Sequence, residues 1–359
     1  MAKIKSFFLL LTLLLLTNST QAKTVKFNNP NISYEGRILY RPDAAVLSWS
    51  GTSVTIKFKG TKISAEIQDL DTANYYNVIV DNKVSFKLHT ETAKKKYLLA
   101  SGLSNGNHTV QLFKRTEWDK GKTLFFGFET PDGTKLLPPA APKKRKIEFF
   151  GNSITCGYAI EDYTGKDSGT GYYENNYLTY AALTARHFNA QYHCTSKSGI
   201  GIMVSWFPLI MPEMYNRTDA TDSTSTWDFS RYTPDVVVIN LFQNDSWIVK
   251  QHNNPEFKRR FGTTEPGEDY IVAAYKNFVA TIRSKYPKAS IICALGSMDA
   301  TREGSPWPGY VQKATAQLND PKLYTCFFKF KNANGHPNVA EQKTMADTLI
   351  SFIDKNIKW

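Results

Sequence analysis

From Tyr34 to about Glu129, apolar and polar residues alternate in short runs: Ser53-Val54-Thr55-Ile56-Lys57-Phe58, Lys62-Ile63-Ser64-Ala65-Glu66-Ile67, Tyr75-Tyr76-Asn77-Val78-Ile79-Val80 and His108-Thr109-Val110-Gln111-Leu112-Phe113. A period of two sends every second side chain to one face of a strand. The breaks at Asp81-Asn82 and Asn105-Gly106-Asn107 supply tight turns between such strands. No helical period interrupts them, so this half predicts an antiparallel β-sandwich, a jelly roll of about eight strands.

Beyond the stiff, proline-rich stretch Leu137-Pro138-Pro139-Ala140-Ala141-Pro142 the pattern changes. Lys146 to Phe150, Asp235 to Phe242 and Ser290 to Leu295 read as largely apolar strands, while Tyr177 to Phe188, Glu268 to Tyr286 and Val339 to Ile357 carry apolar residues at helical spacing. Apolar strands between amphipathic helices indicate a parallel sheet covered on both faces. The second half therefore predicts a three-layer α/β domain. The expected division is an export signal at 1–22, the β-sandwich at 23–137, a linker at 138–145 and the α/β domain at 146–359, with halves that truncation at the linker can separate.

The export signal is read from Lys3 and Lys5, the apolar run Phe7 to Leu16 broken only by Thr12, and the small and polar residues from Thr17 to Ala22, with cleavage after Ala22. A membrane anchor needs roughly 20 apolar residues, and this run is much shorter. A secreted or periplasmic location without a membrane anchor is expected. Hydrophobic residues make up 42% of the chain and aromatic ones 13%, which excludes a disordered protein. The net charge of +12 is dispersed in short groups such as Lys94-Lys95-Lys96 and Lys143-Lys144-Arg145-Lys146, which read as solvated faces and not as a nucleic-acid site. Four cysteines permit disulfides in an exported chain, but Cys293 and Cys326 lie in apolar runs that suit buried thiols equally well, so the states of Cys156, Cys194, Cys293 and Cys326 stay open. No Cys/His spacing suggests zinc, and no metal or cofactor is expected.

The candidate chemistry begins where Lys146-Ile147-Glu148-Phe149-Phe150 ends in Gly151-Asn152-Ser153-Ile154-Thr155, placing a serine at the carboxyl end of a strand. Downstream follow Ser198-Gly199-Ile200-Gly201, then Asn244-Asp245 after an apolar strand, then His336-Pro337. A serine hydroxyl needs a base to become a nucleophile, and the tetrahedral intermediate needs donors for its oxyanion. Ser153 is the candidate nucleophile and His336 the base. The backbone amides of Ser153 and Gly199 and the side-chain amide of Asn244 are the candidate oxyanion donors, and Asp245 is assigned to supporting its loop. Singly, each has a plainer reading: Ser153 a helix N-cap, His336 a surface loop residue, the other two blocks turns. The signal is their order along the chain.

With these blocks the chain resembles the SGNH, or GDSL-like, hydrolases, and more narrowly the two-domain acetyl xylan esterases of carbohydrate esterase family 2. In the first half the resemblance rests on Gly36-Arg37, Trp49-Ser50-Gly51-Thr52, Phe58-Lys59-Gly60-Thr61, Val80-Asp81, Gly106-Asn107-His108-Thr109-Val110 and Lys114-Arg115-Thr116-Glu117; in the second on Ile147 to Tyr158, Ser198 to Gly201, Pro234 to Asp245 and Gly335-His336-Pro337. It implies a jelly roll followed by an SGNH domain and removal of acetyl groups from plant polysaccharide without a metal. Three positions depart from the family. Asn152 stands where Asp is usual, Phe242 replaces the glycine of Gly-x-Asn-Asp, and Ala333 replaces the Asp three residues before the histidine. The resemblance therefore implies a Ser-His dyad, with a backbone carbonyl or the Asn334 side chain orienting His336.

Trp247 and Trp307, with Trp206, are candidate sugar-stacking residues, and Phe242 is a candidate limit on acyl size. Asn175, Asn176 and Gln243 are expected to give the site polar walls that favour sugar esters. The expected partner is an acetylated polysaccharide or oligosaccharide and the expected state a monomer. Two other readings stay open: a broad small-acyl esterase or lipase, and a carbohydrate-binding protein whose hydrolase half has decayed. Because a serine mechanism uses no metal, turnover is expected to be indifferent to EDTA; activity lost to the chelator and restored by zinc or manganese would indicate a metal-dependent deacetylase instead.

Overall fold

The structure is a computed structural model that describes residues 22–359. The expected export signal lies outside the described residues, apart from Ala22. Twelve strands fill the first half: β1 (Ala22–Lys26), β2 (Ile32–Glu35), β3 (Ile38–Tyr40), β4 (Ala45–Leu47), β5 (Ser53–Gly60), β6 (Ile63–Asp69), β7 (Tyr75–Val80), β8 (Lys83–His89), β9 (Lys95–Ala100), β10 (Gly106–Lys114), β11 (Thr123–Pro131) and β12 (Lys135–Leu137). They form two six-stranded antiparallel sheets, one in the order β3-β4-β11-β6-β9 with β1 also on β11, the other β12-β5-β10-β7-β8 with β2 also on β5. Val54, Ile56 and Phe58 of one sheet meet Ile63, Ala65 and Ile67 of the other in a common core, as the alternation requires. The expected number of strands falls short of this, because β3, β4 and β12 have three residues each and are too short to show a period.

The second half runs β13 (Arg145–Gly151), α1 (Ser153–Cys156), α2 (Tyr180–His187), β14 (Ala190–Ser196), β15 (Val236–Asn240), α3 (Gln243–Ile248), α4 (Pro255–Phe261), α5 (Glu268–Lys285), β16 (Ser290–Leu295), α6 (Trp307–Gln317), β17 (Leu323–Phe327) and α7 (Val339–Asn356). Its sheet is parallel throughout, in the order β14-β13-β15-β16-β17. Every residue of β15 is buried. Val237 and Ile239 face a core shared with Ile271, Tyr275, Phe278 and Ile282 of α5 and Val311 of α6, whereas Val236 and Val238 face Tyr180 and Ala185 of α2 and Leu349 and Ile353 of α7. Those two cores, one on each face of the sheet, separate the three layers of the domain. β14 escapes a hydrophobic reading because His193, Thr195 and Ser196 are buried within it.

A buried charge pair joins the halves. Arg37, in the turn between β2 and β3, donates from Nη2 to Glu148 Oε1 of β13 at 2.9 Å, and from Nη1 to the carbonyls of Tyr215 and Arg217 at 2.6 and 2.9 Å. Tyr286 and Thr195 hydroxyls donate to the same Glu148 carboxylate. Trp49 packs into the α/β core and donates its indole N–H to Thr218 O at 2.8 Å. Truncation at the linker, by which the halves are expected to be separable, would leave Glu148 without this cation in a dry interior. Arg37→Met is expected to destabilise the full chain by about 3–5 kcal/mol, the cost of leaving one charge of a buried pair alone, read as a lowered urea midpoint. A midpoint within error of the unaltered protein would show that water reaches Glu148.

Candidate active site

Backbone register brings the separate blocks to one rim. Gly151 at the end of β13 pairs with Ser196 of β14 on one side and Asn240 of β15 on the other. The chain segments leading to Ser153, Gly199 and Asn244 thus leave the sheet at the same level, at the point where strand order reverses, which is where open α/β sheets bind ligands. The turn after β13 is tight enough that a Cβ on Gly151 would meet Thr155 Oγ1 at 2.0 Å. Asn152 caps α1, its Oδ1 accepting from Ile154 N at 3.1 Å. The capping role that Ser153 could have filled is taken, and its hydroxyl is left for chemistry.

Ser153 Oγ lies 2.8 Å from His336 Nε2. His336 precedes α7, whose first turn is fixed by Asn338 and Glu341 in a reciprocal capping box. Gln342, one residue further, ties α7 to α1 and α2, donating to Ile154 O and accepting from Tyr180 N at 2.9 and 2.8 Å. Ser153 and His336 are therefore held by helices braced against each other.

The expected orienter of His336 is corrected. Asn334 uses its backbone carbonyl to accept from Lys331 Nζ and makes no hydrogen bond to the ring. Asp167 takes the place: its carboxylate oxygens lie 3.0 and 2.8 Å from Nδ1, and Oδ1 also accepts from the His336 backbone N–H at 2.9 Å. Burial pushes the Asp167 carboxyl up, but the hydrogen bonds and positive charge of His336 more than offset that and hold it below the usual Asp value. Asp162 shapes the loop by accepting from Thr164 N and Ser168 N at 2.9 and 2.7 Å. The geometry is a Ser–His–Asp line in place of a dyad. Sequence reasoning missed Asp167 because it looked beside the histidine; the available signal was the Asp- and Gly-rich loop that follows the nucleophile.

The oxyanion candidates come together on the neighbouring loops. Gly199 adopts φ +80, the left-handed region open to glycine, and a Cβ there would crowd Phe207 and Trp206. Asn244 Nδ2 donates to Ile200 O at 2.8 Å and its Oδ1 accepts from Trp206 Nε1 at 3.0 Å, which fixes the amide and leaves its second N–H free. The backbone N–H groups of Ser153 and Gly199 have no partner among the described residues. Asp245 supports the loop as expected, accepting from the amides of Ile202, Met203 and Val204 at 3.1, 2.7 and 3.2 Å. Burial pushes its carboxyl up to about 6 against the pull of those same bonds.

The expected substrate contacts need revision. Phe242 is fully buried and packs on Tyr275 and Trp307, with ring centroids 4.8 and 5.0 Å apart. It adopts φ +82, in the left-handed region that favours glycine, and its ring fills the core instead of the acyl site. Trp307 is buried in the same cluster. Trp247 is half-buried, with its indole N–H on Asp299 at 2.8 Å. Asn175, Asn176 and Gln243 are buried, so they brace loops and do not line a wall. Trp206, bonded to Asn244, is the aromatic that stays exposed beside the site. All four cysteines are free and buried.

Fold and site together define the class, a GDSL-like acylhydrolase. Residues 149–321 match the GDSL-like lipase/acylhydrolase family and residues 34–140 the carbohydrate esterase 2 N-terminal domain. The chain belongs to the family 2 carbohydrate esterases and is a carboxylic-ester hydrolase. It is 35% identical over 354 residues to the cellulase/esterase CelE of Acetivibrio thermocellus, a match spanning 94% of this chain but 41% of that longer protein. It is 25% identical over 356 residues to an acetylxylan esterase/glucomannan deacetylase of Cellvibrio japonicus, covering 95% of each. A solved family two carbohydrate esterase from Clostridium thermocellum in complex with cellohexaose matches with a TM-score of 0.81 at 34% identity, over 90% of this chain and 98% of that one.

Asp167→Asn is expected to lower kcat by about 100-fold or more with KM little changed, because the amide favours the wrong imidazole tautomer and removes the compensating charge. An unaltered kcat in Asp167→Asn would return the site to a dyad.

Proposed function

We propose that this chain removes O-acetyl groups from plant polysaccharide through an acyl-enzyme on Ser153. His336 Nε2 takes the Ser153 proton as Oγ attacks the acetyl carbonyl, and the oxyanion receives the N–H groups of Ser153, Gly199 and Asn244. The tetrahedral intermediate collapses, the sugar oxygen leaves with the proton from His336, and acetyl remains on Oγ. Water then repeats the sequence with His336 as base, releasing acetate. Asp167 holds the ring with Nε2 toward Ser153 and balances the charge of the imidazolium.

The observation that carries this reading is the 2.8 Å contact between Ser153 Oγ and His336 Nε2, with a carboxylate on the opposite ring nitrogen. The substrate class takes its support from the acetylxylan and glucomannan deacetylases among the relatives and from the cellohexaose-bound structure of a family member. Exposed Trp206 offers an apolar face on which a pyranose ring can stack. The apolar amino-terminal run makes a secreted or periplasmic setting part of the proposal.

Acetate release from acetylated xylan, glucomannan and mannan is the direct test. The unaltered enzyme should release acetate from at least one of them, Ser153→Ala from none while keeping its fold. Asn244→Ala should lose about 100- to 1000-fold in turnover, the usual worth of one oxyanion donor. Retained turnover in Ser153→Ala, or binding of polysaccharide without acetate release by the unaltered protein, would overturn the reading.

A further inference from the structure

The β-sandwich reaches the rim of the catalytic sheet through Glu117, between β10 and β11. Glu117 is fully buried, and its Oε2 accepts from Ser198 N at 2.7 Å. Ser198 immediately precedes Gly199, whose carbonyl accepts from Trp206 N at 3.1 Å. The peptide that carries the Gly199 N–H lies between these two anchors, so one end of it is held from the other domain.

Glu117 is itself locked. Its N–H donates to Glu174 Oε2 at 3.1 Å, and Lys114 Nζ donates to the Glu117 and Thr116 carbonyls at 3.2 and 2.9 Å. The residues after Glu117 grip the same loop. The Lys197 ammonium lies over the Trp118 ring at 4.3 Å and 3.3 Å from Asp119. Burying a carboxyl at a domain boundary is costly unless it meets donors of fixed geometry; Glu117 Oε2 meets the amide beside the oxyanion donor and, at 3.8 Å, the Cys156 thiol, while Oε1 has no partner among the described residues.

We infer that Glu117 is a positioning residue of the oxyanion hole, supplied by the β-sandwich, which aims the Gly199 N–H by holding Ser198. The inference rests on the reading of Ser153 as nucleophile and Gly199 as donor. It makes the first domain part of the catalytic machinery, beyond any role in holding polysaccharide.

Two variants of the full chain separate positioning from bulk structure. Glu117→Asp keeps the carboxyl but retracts the acceptor by one methylene; Glu117→Gln keeps an acceptor at full reach. Rates are expressed per reactive serine, counted by stoichiometric phosphorylation with paraoxon, which releases one 4-nitrophenolate per serine. Glu117→Asp should lose about 10- to 100-fold in kcat, the scale of an ångström's misplacement, while KM stays within about threefold. The inhibition constant of phenylboronic acid, which forms a tetrahedral adduct on the serine, should rise in parallel. Glu117→Gln should keep kcat and boronate affinity within about threefold of the unaltered enzyme. Unchanged kcat in Glu117→Asp, a loss confined to KM, an equal loss in Glu117→Gln, or failure of Glu117→Asp to fold would each overturn the proposal. A failure of the underlying reading shows separately, as absence of phosphorylation at Ser153 in the unaltered protein.

Discussion

The site depends on the register of three parallel strand ends. With Gly151 level with Ser196 and Asn240, the loops that follow open onto the same rim. A slip of one residue in either pairing would invert the side chains of a strand and carry its loop away from the others. The buried Val-Val-Val-Ile run of β15 resists such a slip, because its alternate residues are committed to two different cores. The catalytic geometry is in this sense a consequence of hydrophobic packing on both faces of the sheet.

The β-sandwich constrains that same sheet from outside. Glu148 lies on the strand that ends at Gly151, and its carboxylate is shared by Arg37 of the first domain and the Tyr286 and Thr195 hydroxyls of the second. A buried ion pair contributes little net stability against an apolar alternative, but once formed it makes any relative shift of its partners expensive. The Arg37 guanidinium also lies 5.3 Å from the Trp227 ring and 5.5 Å from that of Phe229, so its position is fixed from several directions. The pair works as a geometrical pin between the domains.

Much of this was legible where a single physical rule dominates. The strand Ser290–Leu295 and the starts of α5 and α7 appear in the sequence at the residues where the structure places them, because long apolar periods and strand-flanking turns leave few alternatives. The ordered blocks at Ser153, Ser198-Gly199, Asn244 and His336 were legible because strand ends carry them. What was not legible depends on tertiary contact alone. Asp167 belongs to a polar loop without period, and nothing local says that it meets a histidine 169 residues away. Phe242 reads as an intrusion into the acyl site because sequence cannot show which way a left-handed residue directs its ring. A non-glycine residue in that region costs on the order of 1–2 kcal/mol, and burial of an aromatic ring against Tyr275 and Trp307 recovers it.

An acid so far from the histidine in sequence can serve because the requirement on it is spatial. The Asp167 side chain keeps 35% of its exposure, so water screens much of its attraction for an imidazolium and the Coulombic benefit is less than that of a buried acid. Its geometry is the stronger contribution. The carboxylate binds both Nδ1 and the backbone N–H of the same residue, which leaves the ring little freedom to swing and settles the proton on Nδ1. Nε2 must then face Ser153 as an acceptor, the form that a general base needs. Tyr158, with its ring centroid 4.5 Å from that of His336, closes one side of the imidazole, and Gly169 leaves room for the tyrosine hydroxyl where a Cβ would collide at 2.1 Å. The loop after Ser153 thus furnishes both the carboxylate and the packing surface that hold the His336 ring, where Ala333 offers neither.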